Sequence, residues 1–405
     1  MKVGWEVSKF GDVCAIELGK TPSRADSSYW DVKKQTNNIW LSIADLLNTE
    51  NSVVSGSKEY LSDKGAKVSK KVAAGTLLVS FKLTLGRLAY TGCDLFTNEA
   101  IAALTIHNEK KLTKEFLYYF LMHFDWDKAC DGDVKVKGKT LNKAKLKEIA
   151  IFYPNYSEQQ RIVTILDEAF EQIAIARANT EKNLQNARAL FESHLQSVFT
   201  QRGEGWIEKT LNEVCQIKPP KSEARSQLNK SDLVSFAPME DLGINQKYLS
   251  ATKLRTLEEV SGSYTYFADG DVLLAKITPC FENGKLGIAK DLKNAIGFGS
   301  SEYIVFRPYK DLLNEYLYYF LARKQFLEDG AVRMSGAVGH KRVSKEFIEE
   351  HTISFPSIEL QKMIVEKIDA LSEETQRLEF IYQRKLTMLD ELKKSLLHKA
   401  FAGEL

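Results

Sequence analysis

The sequence has no apolar stretch long enough to cross a lipid bilayer, since its longest runs, such as residues 76–81 and 149–152, are only a few residues long. It has only five cysteines in 405 residues and no CxxC pair, so neither a zinc site nor a disulfide framework is indicated. Its N-terminal segment lacks the apolar core of a signal peptide. These absences predict a protein of the reducing cytoplasm that does not associate with membranes.

Catalytic motifs are also missing. The sequence has no G-x-x-x-x-G-K-[ST] phosphate loop, no glycine-rich dinucleotide motif and no Asn/Asp-Pro-Pro-aromatic run of the kind that amino-methyltransferases use. The six histidines lack metal-ligand spacing. Asp271 and Glu302, with Lys276 nearby, could be fitted to a metal-nuclease pattern, but the first half of the chain has no matching set. We therefore expect no catalytic residues, no metal site and no cofactor in this chain.

What the sequence does contain is a repeat. Residues 4–16 return as residues 205–217, and FLYYFL at 116–121 returns as YLYYFL at 316–321. The offset stays near half the chain from end to end. Such a duplication predicts internal pseudo-twofold character, which suits a ligand with two half-sites, and duplex DNA is the commonest such ligand.

Each copy begins with a mixed domain, residues 1–156 in the first and 204–356 in the second. Short β-branched and aromatic runs between turn residues predict strands at 75–81, 86–92, 270–277 and 301–308. The segments at 114–124 and 314–326 predict helices that pack on these strands, with their Tyr-Tyr-Phe clusters in the core rather than stacked on bases. Cys14 and Cys215, which match between the copies, are expected to be small buried core residues.

Each copy ends in a helical segment, residues 157–203 and 357–405. Pro154 before Ser157-Glu158, and Pro356 before Ser357, indicate helix starts. Apolar residues at steps of three and four predict an antiparallel coiled coil. The predicted fold class is α+β, with two mixed α/β domains in pseudo-twofold arrangement, separated by the two long helices. The predicted seam comprises Ile162, Leu166, Ile173, Leu184, Phe191, Leu195, Ile364, Ile368, Leu371, Leu378, Leu389 and Leu396.

Basic segments lie at matching places in the two copies, although the net charge of the chain is only +2. Residues 134–147 carry six lysines and no acid, and residues 331–345 are likewise basic and free of acid. A single run would suggest a solvated loop, but two matching runs favour a surface that contacts phosphates. The candidate DNA-binding residues are Lys20, Arg24, Lys82, Arg87, Lys135, Lys137, Lys139, Lys143, Lys218, Lys221, Lys276, Lys285, Arg333, Lys341, Arg342 and Lys345.

The motifs together resemble a known family. The segments PNYSEQQRIV at 154–163 and PSIELQKMIV at 356–365, the ending LDELKKSLLHKAFAGEL at 389–405 and the opening at 4–24 are similar to those of specificity (S) subunits of Type I DNA restriction-modification systems. The resemblance covers the whole chain in family order: target-recognition domain, central helix, target-recognition domain, distal helix. The second opening departs from the first, with IKPPK at 217–221 in place of LGKTP.

The resemblance implies a non-catalytic subunit. Each target-recognition domain would read one half of a bipartite, gapped target in double-stranded DNA, and the helices would act as a ruler between the halves. Two copies of the adenine-methylating modification subunit would dock on the helices, and restriction subunits would join through that complex. S-adenosylmethionine and ATP would then belong to the partner subunits.

Two other functions are compatible with parts of the sequence. A fused methyltransferase or nuclease would need the catalytic motifs that are missing. A coiled-coil scaffold that binds no DNA would leave the matched basic segments unexplained. The identity of the DNA target does not follow from the sequence, because base recognition depends on a few side chains held in a groove.

Overall fold

The structure, a computed structural model, describes residues 4–47, 52–130, 134–135, 138–201, 203–251, 253–337 and 339–405, with the backbone alone at 134–135 and 138–140. The chain divides into two compact units. The first contains residues 1–179 and 385–405, and the second contains residues 180–384. Each unit thus combines one mixed domain with parts of both long helices. None of the helices in the described ranges is long and apolar enough to span a membrane.

The first unit is built mainly of short strands and helices. Its strands are β1 (Glu6–Lys9), β2 (Cys14–Leu18), β3 (Ile39–Leu41), β4 (Val53–Val54), β5 (Glu59–Tyr60), β6 (Lys71–Val72), β7 (Leu77–Ser80), β8 (Lys82–Leu83), β9 (Leu88–Thr91), β10 (Leu95–Thr97), β11 (Ile101–Ile106), β12 (Val134–Lys135), β13 (Gly138–Thr140) and β14 (Ala150–Tyr153). Its helices are α1 (Phe10–Val13), α2 (Asp63–Val68), α3 (Lys114–His123), α4 (Trp126–Ala129), α5 (Lys143–Glu148) and the start of α6 (Tyr156–Thr200).

Two larger sheets organise the first unit. One has the strand order β2-β11-β7-β9-β4, and the other has the order β5-β3-β10-β6. Smaller sheets join β12, β13 and β8, and pair β1 with β14. Helix α3 packs its aromatic residues Phe116, Tyr119 and Phe120 into the core over the first sheet, where each is almost fully buried. The predicted core role of this cluster is confirmed.

The second unit repeats much of this plan. Its strands are β15 (Ile207–Thr210), β16 (Cys215–Ile217), β17 (Leu233–Ala237), β18 (Lys253–Thr256), β19 (Thr265–Ala268), β20 (Val272–Ala275), β21 (Leu286–Ile288), β22 (Ile296–Gly299), β23 (Tyr303–Pro308) and β24 (Thr352–Phe355). Its helices are α7 (Leu211–Val214), α8 (Ser222–Gln227), α9 (Leu257–Val260), α10 (Asn314–Leu321), α11 (Lys324–Val332), α12 (Lys345–Glu350) and most of α13 (Ile358–Ala402).

The sheets of the second unit have the orders β16-β23-β20-β21 and β18-β17-β22-β19, and β15 pairs with β24. Strand β20 pairs antiparallel with β23 as β7 pairs with β11 in the first unit. Cys14 and Cys215 occupy matching places at the starts of β2 and β16, and both are 1% exposed. Their predicted burial is confirmed, and burial raises the pKa of each thiol to about 12.

The long helices are paired antiparallel within each unit. In the first unit, Arg161 of α6 donates to the Leu405 carbonyl, and Arg177 pairs with Asp390 of α13. In the second unit, Arg188 pairs with Glu379 at 3.0 Å. From Arg161 to Arg188 the contact points move toward the end of α6, while their partners move toward the start of α13. The two helices are therefore antiparallel, as the sequence predicted.

The helix ends are buried in the domain cores as well as against each other. The core of the first unit includes Ile162 and Leu166 from α6 and Leu397 and Ala400 from α13. The core of the second unit includes Leu195, Phe199, Val365 and Ile368. The remaining predicted seam residues are only half-buried: Ile173, Leu184, Phe191, Ile364, Leu371, Leu378, Leu389 and Leu396.

A buried glutamine anchors the start of each long helix. The Gln159 amide nitrogen donates to the carbonyls of Lys111 and Pro154, both at 2.8 Å, and its oxygen accepts from the Thr113 amide at 2.9 Å. Gln361 makes the equivalent three bonds in the second unit, to Asp311, Pro356 and Leu313. The glutamine in each repeated motif thus ties a long helix to the loop before α3 or α10.

We expect Gln159→Ala to lower the free energy of unfolding of the first unit by about 2–3 kcal/mol, because it leaves buried backbone groups without partners. Urea denaturation followed by circular dichroism measures this change. The matched control is Gln160→Ala, since Gln160 is exposed and should change stability by less than about 0.5 kcal/mol. Equal effects from the two substitutions would contradict the anchoring role of Gln159.

One predicted helix start is shifted by a residue, and one local prediction was wrong. Asn155 caps α6, since its side-chain oxygen accepts from the Glu158 amide at 3.0 Å, and the helix begins at Tyr156, one residue before Ser157. The segment 314–326 forms two helices rather than one, because the backbone is extended at Arg323. Arg323 is buried there, and its guanidinium lies 3.9 Å from the centre of the Phe320 ring.

Candidate nucleic-acid interface

The basic segment of the first unit forms a hairpin against β8. Strand β13 pairs antiparallel with β12 on one side and with β8 on the other, so that Thr140 faces Lys82 and Lys139 faces Leu83. The backbone of Lys135 lies in β12, whereas Lys137 lies outside the described residues. Lys143 is exposed at the first position of α5, which Asn142 caps. The hairpin therefore brings Lys82, distant in sequence, beside the lysine-rich segment.

The second unit places its basic segment in the same way. Arg342 forms β-bridges with Ile277 and Ser335. The Val343 amide donates to the Lys276 carbonyl at 3.0 Å, as the Leu141 amide donates to the Phe81 carbonyl at 3.0 Å in the first unit. The two basic segments, which match in the sequence, therefore have the same kind of backbone pairing in the two units.

Cations from separate segments converge in the second unit. Burial lowers the pKa of Lys276, and the neighbouring charges of Lys218 and Arg342 lower it further, while Glu302 opposes them. Lys218 follows β16, is exposed and has a left-handed φ of 59°, a conformation rare outside glycine and common at functional sites. Glu302 lies 4.0 Å from Lys276 and pairs with Arg342, and three cations around one carboxylate leave this group with a net positive charge.

A second pair of cations extends this group along α8. The Lys221 ammonium donates to the Gly262 carbonyl at 2.6 Å, and burial, Arg225 and Lys218 all lower its pKa. Sequence reasoning missed Arg225, although it lies one helical turn after Lys221 in the same basic stretch. We call Lys218, Lys221, Arg225, Lys276 and Arg342 the Lys218 cluster.

Several other candidates are engaged by the protein itself. The Lys285 ammonium donates to the Met239 carbonyl at 2.7 Å, and Arg87 donates to the Ile43 carbonyl at 3.1 Å. Arg24 pairs with Glu59 and lies 3.9 Å from the centre of the Trp30 ring. These contacts stabilise the fold locally, and the structure does not bring these residues into the Lys218 cluster.

The remaining candidates lie on the surface. Lys20 follows β2, Lys341 precedes Arg342, and both are exposed. Arg333 ends α11 with its guanidinium 5.2 Å from the Phe347 ring centre. Lys345 begins α12, as Lys143 begins α5, and pairs with Glu349 at 3.2 Å.

The residues that could have suggested a nuclease have other partners. Asp271 accepts from Arg307 at 2.7 and 2.8 Å, and Glu302 accepts from Arg342. Within the described part of the chain, no group of three or more His, Cys, Asp and Glu residues is placed to hold a metal ion. The nuclease pattern considered from the sequence is therefore not assembled at these residues.

Comparison with known proteins identifies the family. The family model for the Type I restriction modification DNA specificity domain matches the chain twice, at residues 2–186 and 203–383. The chain belongs to this family. The resemblance noted from the helix motifs is confirmed, and the two specificity domains correspond to the two copies of the sequence repeat.

Curated relatives carry the same family name. The specificity subunit of the Type I restriction enzyme EcoAI of Escherichia coli is 35% identical over 188 residues, which is 46% of this chain and 31% of that protein. The EcoEI specificity subunit of Escherichia coli is 38% identical over 188 residues, 46% of this chain and 30% of that protein. The matched region thus spans less than a third of the length of either relative.

Solved structures share the fold of these specificity domains. A chain from a study of complex assembly and conformational transition of the type I R-M system matches with a TM-score of 0.75 and 19% identity, over 99% of this chain and 98% of that one. The HsdS subunit from Thermoanaerobacter tengcongensis matches with a TM-score of 0.56 and 18% identity, over 99% of this chain and 97% of that one. At these identities the similarity establishes the α+β fold.

Proposed function

We propose that this chain is the sequence-specific DNA-binding subunit of a Type I restriction-modification complex. Each unit would read one half of a bipartite, gapped target in double-stranded DNA. The observation that carries the proposal is the basic hairpin repeated in both units, at Lys139–Thr140 against β8 and at Arg342 against Ile277. Repeated basic surfaces on duplicated domains suit the two half-sites of such a target.

The hairpin of the first unit, and Lys218, Lys221 and Arg225 of the Lys218 cluster, would contact phosphates. A cluster of lysines and arginines drawn from separate segments neutralises phosphates and releases counterions when it binds DNA. Such contacts fix the position of each domain on the duplex without reading its sequence. Base recognition would then depend on other side chains, which form hydrogen bonds with the base edges in the grooves.

We expect substitution of Lys135, Lys137 and Lys139 by Ala to weaken binding to all DNA sequences alike and to reduce the salt slope by about 1–3 units. The measurement is the dissociation constant at a series of salt concentrations, with the complex of this chain and its modification subunits. A matched control removes the same charge from ion-paired lysines: Lys64, Lys230 and Lys253. An unchanged salt slope for the hairpin variant would refute the phosphate assignment.

The long helices would serve as a ruler and as a docking surface. Each is 45 residues long, about 67 Å at 1.5 Å per residue. Both carry large apolar side chains that are exposed: Ile175, Met388 and Leu392 in the first unit, and Leu190, Phe380 and Ile381 in the second. Exposed apolar groups of this kind mark protein interaction sites. They support docking of two modification subunits, with restriction subunits joining through the complex.

The proposed subunit has no catalytic role of its own. Methylation of adenine with S-adenosylmethionine and ATP-driven restriction would be carried out by its partners in the cytoplasm. A scaffold that binds no DNA is the competing function, and the Lys218 cluster argues against it. A salt-dependent gel shift with the complex distinguishes the two.

A further inference from the structure

Arg342 is held along one edge by a carboxylate. Its Nε donates to Glu302 Oε2 at 2.9 Å, its Nη2 donates to Oε1 at 2.6 Å, and its Nη1 donates to the His340 carbonyl at 3.3 Å. The backbone of Arg342 is fixed as well, through β-bridges to Ile277 and Ser335. The guanidinium therefore has a defined position and orientation before any ligand binds.

The pairing leaves part of the guanidinium available. A guanidinium has five N–H groups, and a side-on pair with a carboxylate uses the Nε hydrogen and one Nη2 hydrogen. The His340 carbonyl takes one hydrogen of Nη1, so one hydrogen on Nη1 and one on Nη2 remain for a ligand. The Arg342 side chain is 47% exposed while Glu302 is 22% exposed, so the arginine is the more accessible partner.

Two other arginines show what a purely structural pairing looks like. Arg307 directs Nε and Nη2 at Asp271 and Nη1 at Glu223, so that carboxylates engage all three nitrogens. Arg24 is paired with Glu59 and covers the Trp30 ring with its face. Arg342 differs from Arg307 because one carboxylate rather than two pairs with it and its side chain is 47% rather than 27% exposed. It differs from Arg24 because other cations are near it: the residue after it, Val343, is hydrogen-bonded to Lys276, and Lys218 is close to Lys276.

The carboxylate makes Arg342 a poor phosphate ligand. The pair with Glu302 has no net charge, and the carboxylate repels a phosphate that approaches the guanidinium. Hydrogen bonds to a neutral base edge do not suffer this repulsion. The end of an arginine fork matches the O6 and N7 acceptors of guanine in the major groove, and this is the commonest specific contact in protein–DNA complexes.

We propose that Arg342 reads a guanine in the half-site bound by the second unit, with Glu302 as the residue that positions its guanidinium. The inference rests on the proposed DNA-binding function. The exposed Lys218 would hold a neighbouring phosphate, and the fork of Arg342 would then reach the base edge. The second half-site must in consequence contain a G·C pair at one defined position.

The test uses the complex of the full chain with its modification subunits. Methylation footprints give the wild-type target, and duplexes that change one base pair at a time give the discrimination at each position. Arg342→Ala should lose about 5- to 140-fold of discrimination at a single G·C pair of one half-site, and should leave the other half-site unchanged. Glu302→Gln retains Arg342 and should reduce discrimination at the same position by a smaller factor.

The neighbouring Lys341→Ala is the matched control, since Lys341 is exposed and should contact phosphate only. It should weaken binding to every duplex alike. If Arg342→Ala and Glu302→Gln behave like the control, Arg342 is a phosphate contact and the inference is wrong. If the wild-type complex does not distinguish its methylated target from a scrambled duplex, the proposed function itself fails. Unchanged thermal melting of each variant shows that the fold is retained.

Discussion

Replacing Asp271 by Ala is expected to lower the free energy of unfolding of the second unit by about 3–5 kcal/mol. The Asp271 side chain is 1% exposed and accepts two hydrogen bonds from Arg307, which also pairs with Glu223. Asp271→Ala leaves Arg307 with Glu223 as its one carboxylate partner, breaks the two hydrogen bonds to Asp271 and leaves the Ala268 amide without its acceptor. Urea denaturation monitored by tryptophan fluorescence and circular dichroism measures the loss.

The control for this prediction is a similar pair on the surface. Arg24 pairs with Glu59, whose side chain is 36% exposed, so Glu59→Ala should change stability by less than about 1 kcal/mol. The double variant Asp271→Leu with Arg307→Leu should recover part of the loss, because it removes the buried carboxylate together with its arginine, while Glu223, which is 31% exposed, remains in contact with solvent. A loss at Asp271 no larger than that at Glu59 would show that the buried pair contributes little.

Insertion of seven residues into each long helix is expected to lengthen the gap in the DNA target by about three base pairs, with both half-site sequences retained. Seven residues add about 10 Å of helix, and DNA rises about 3.4 Å per base pair. Seven rather than four residues preserves the seam, which repeats every heptad. The methylation footprint of cells that express the variant with its partner subunits gives the new target.

The two insertions must lie at the same level of the antiparallel pair. Arg188 pairs with Glu379. Asn183 lies five residues before Arg188 and Arg384 lies five residues after Glu379, so in an antiparallel pair the positions after Asn183 and after Arg384 are at the same level. An insertion in α6 alone shifts one seam against the other and should abolish sequence-specific methylation. A paired insertion that keeps the old gap, or that changes the half-site sequences, would show that the helices do not measure the target.

Patterns that depend on neighbours along the chain were predictable from the sequence. The duplication, the strands β7, β9, β20 and β23, both long helices and the burial of Cys14 and Cys215 follow from periodicity and composition. The antiparallel pairing was also predicted, since equivalent helices run in opposite directions when the twofold axis that relates them is perpendicular to them. Local signals failed at Arg323, where the extended backbone divides the segment predicted as one helix into α10 and α11.

The candidate site was only partly predictable. The sequence located the basic segments and most members of the Lys218 cluster, but it could not show which cations have acceptors inside the protein. Lys285 and Arg87 contact backbone carbonyls 46 and 44 residues away along the chain. Contacts at such separations leave no periodic pattern, because they depend on how the strands are brought together.

The sequence by itself determined that this protein is a duplicated chain of the specificity-domain family, with two mixed domains and two long helices. Only the tertiary structure decided that each long helix contributes to the core of one unit at its start and to the core of the other unit at its end. Only the tertiary structure showed, too, that Glu302 pairs with Nε and Nη2 of Arg342 while the arginine side chain stays 47% exposed. The physical reason is that periodicity records which face of an element is buried, whereas charge pairs are set by side chains that folding brings within about 3 Å of each other.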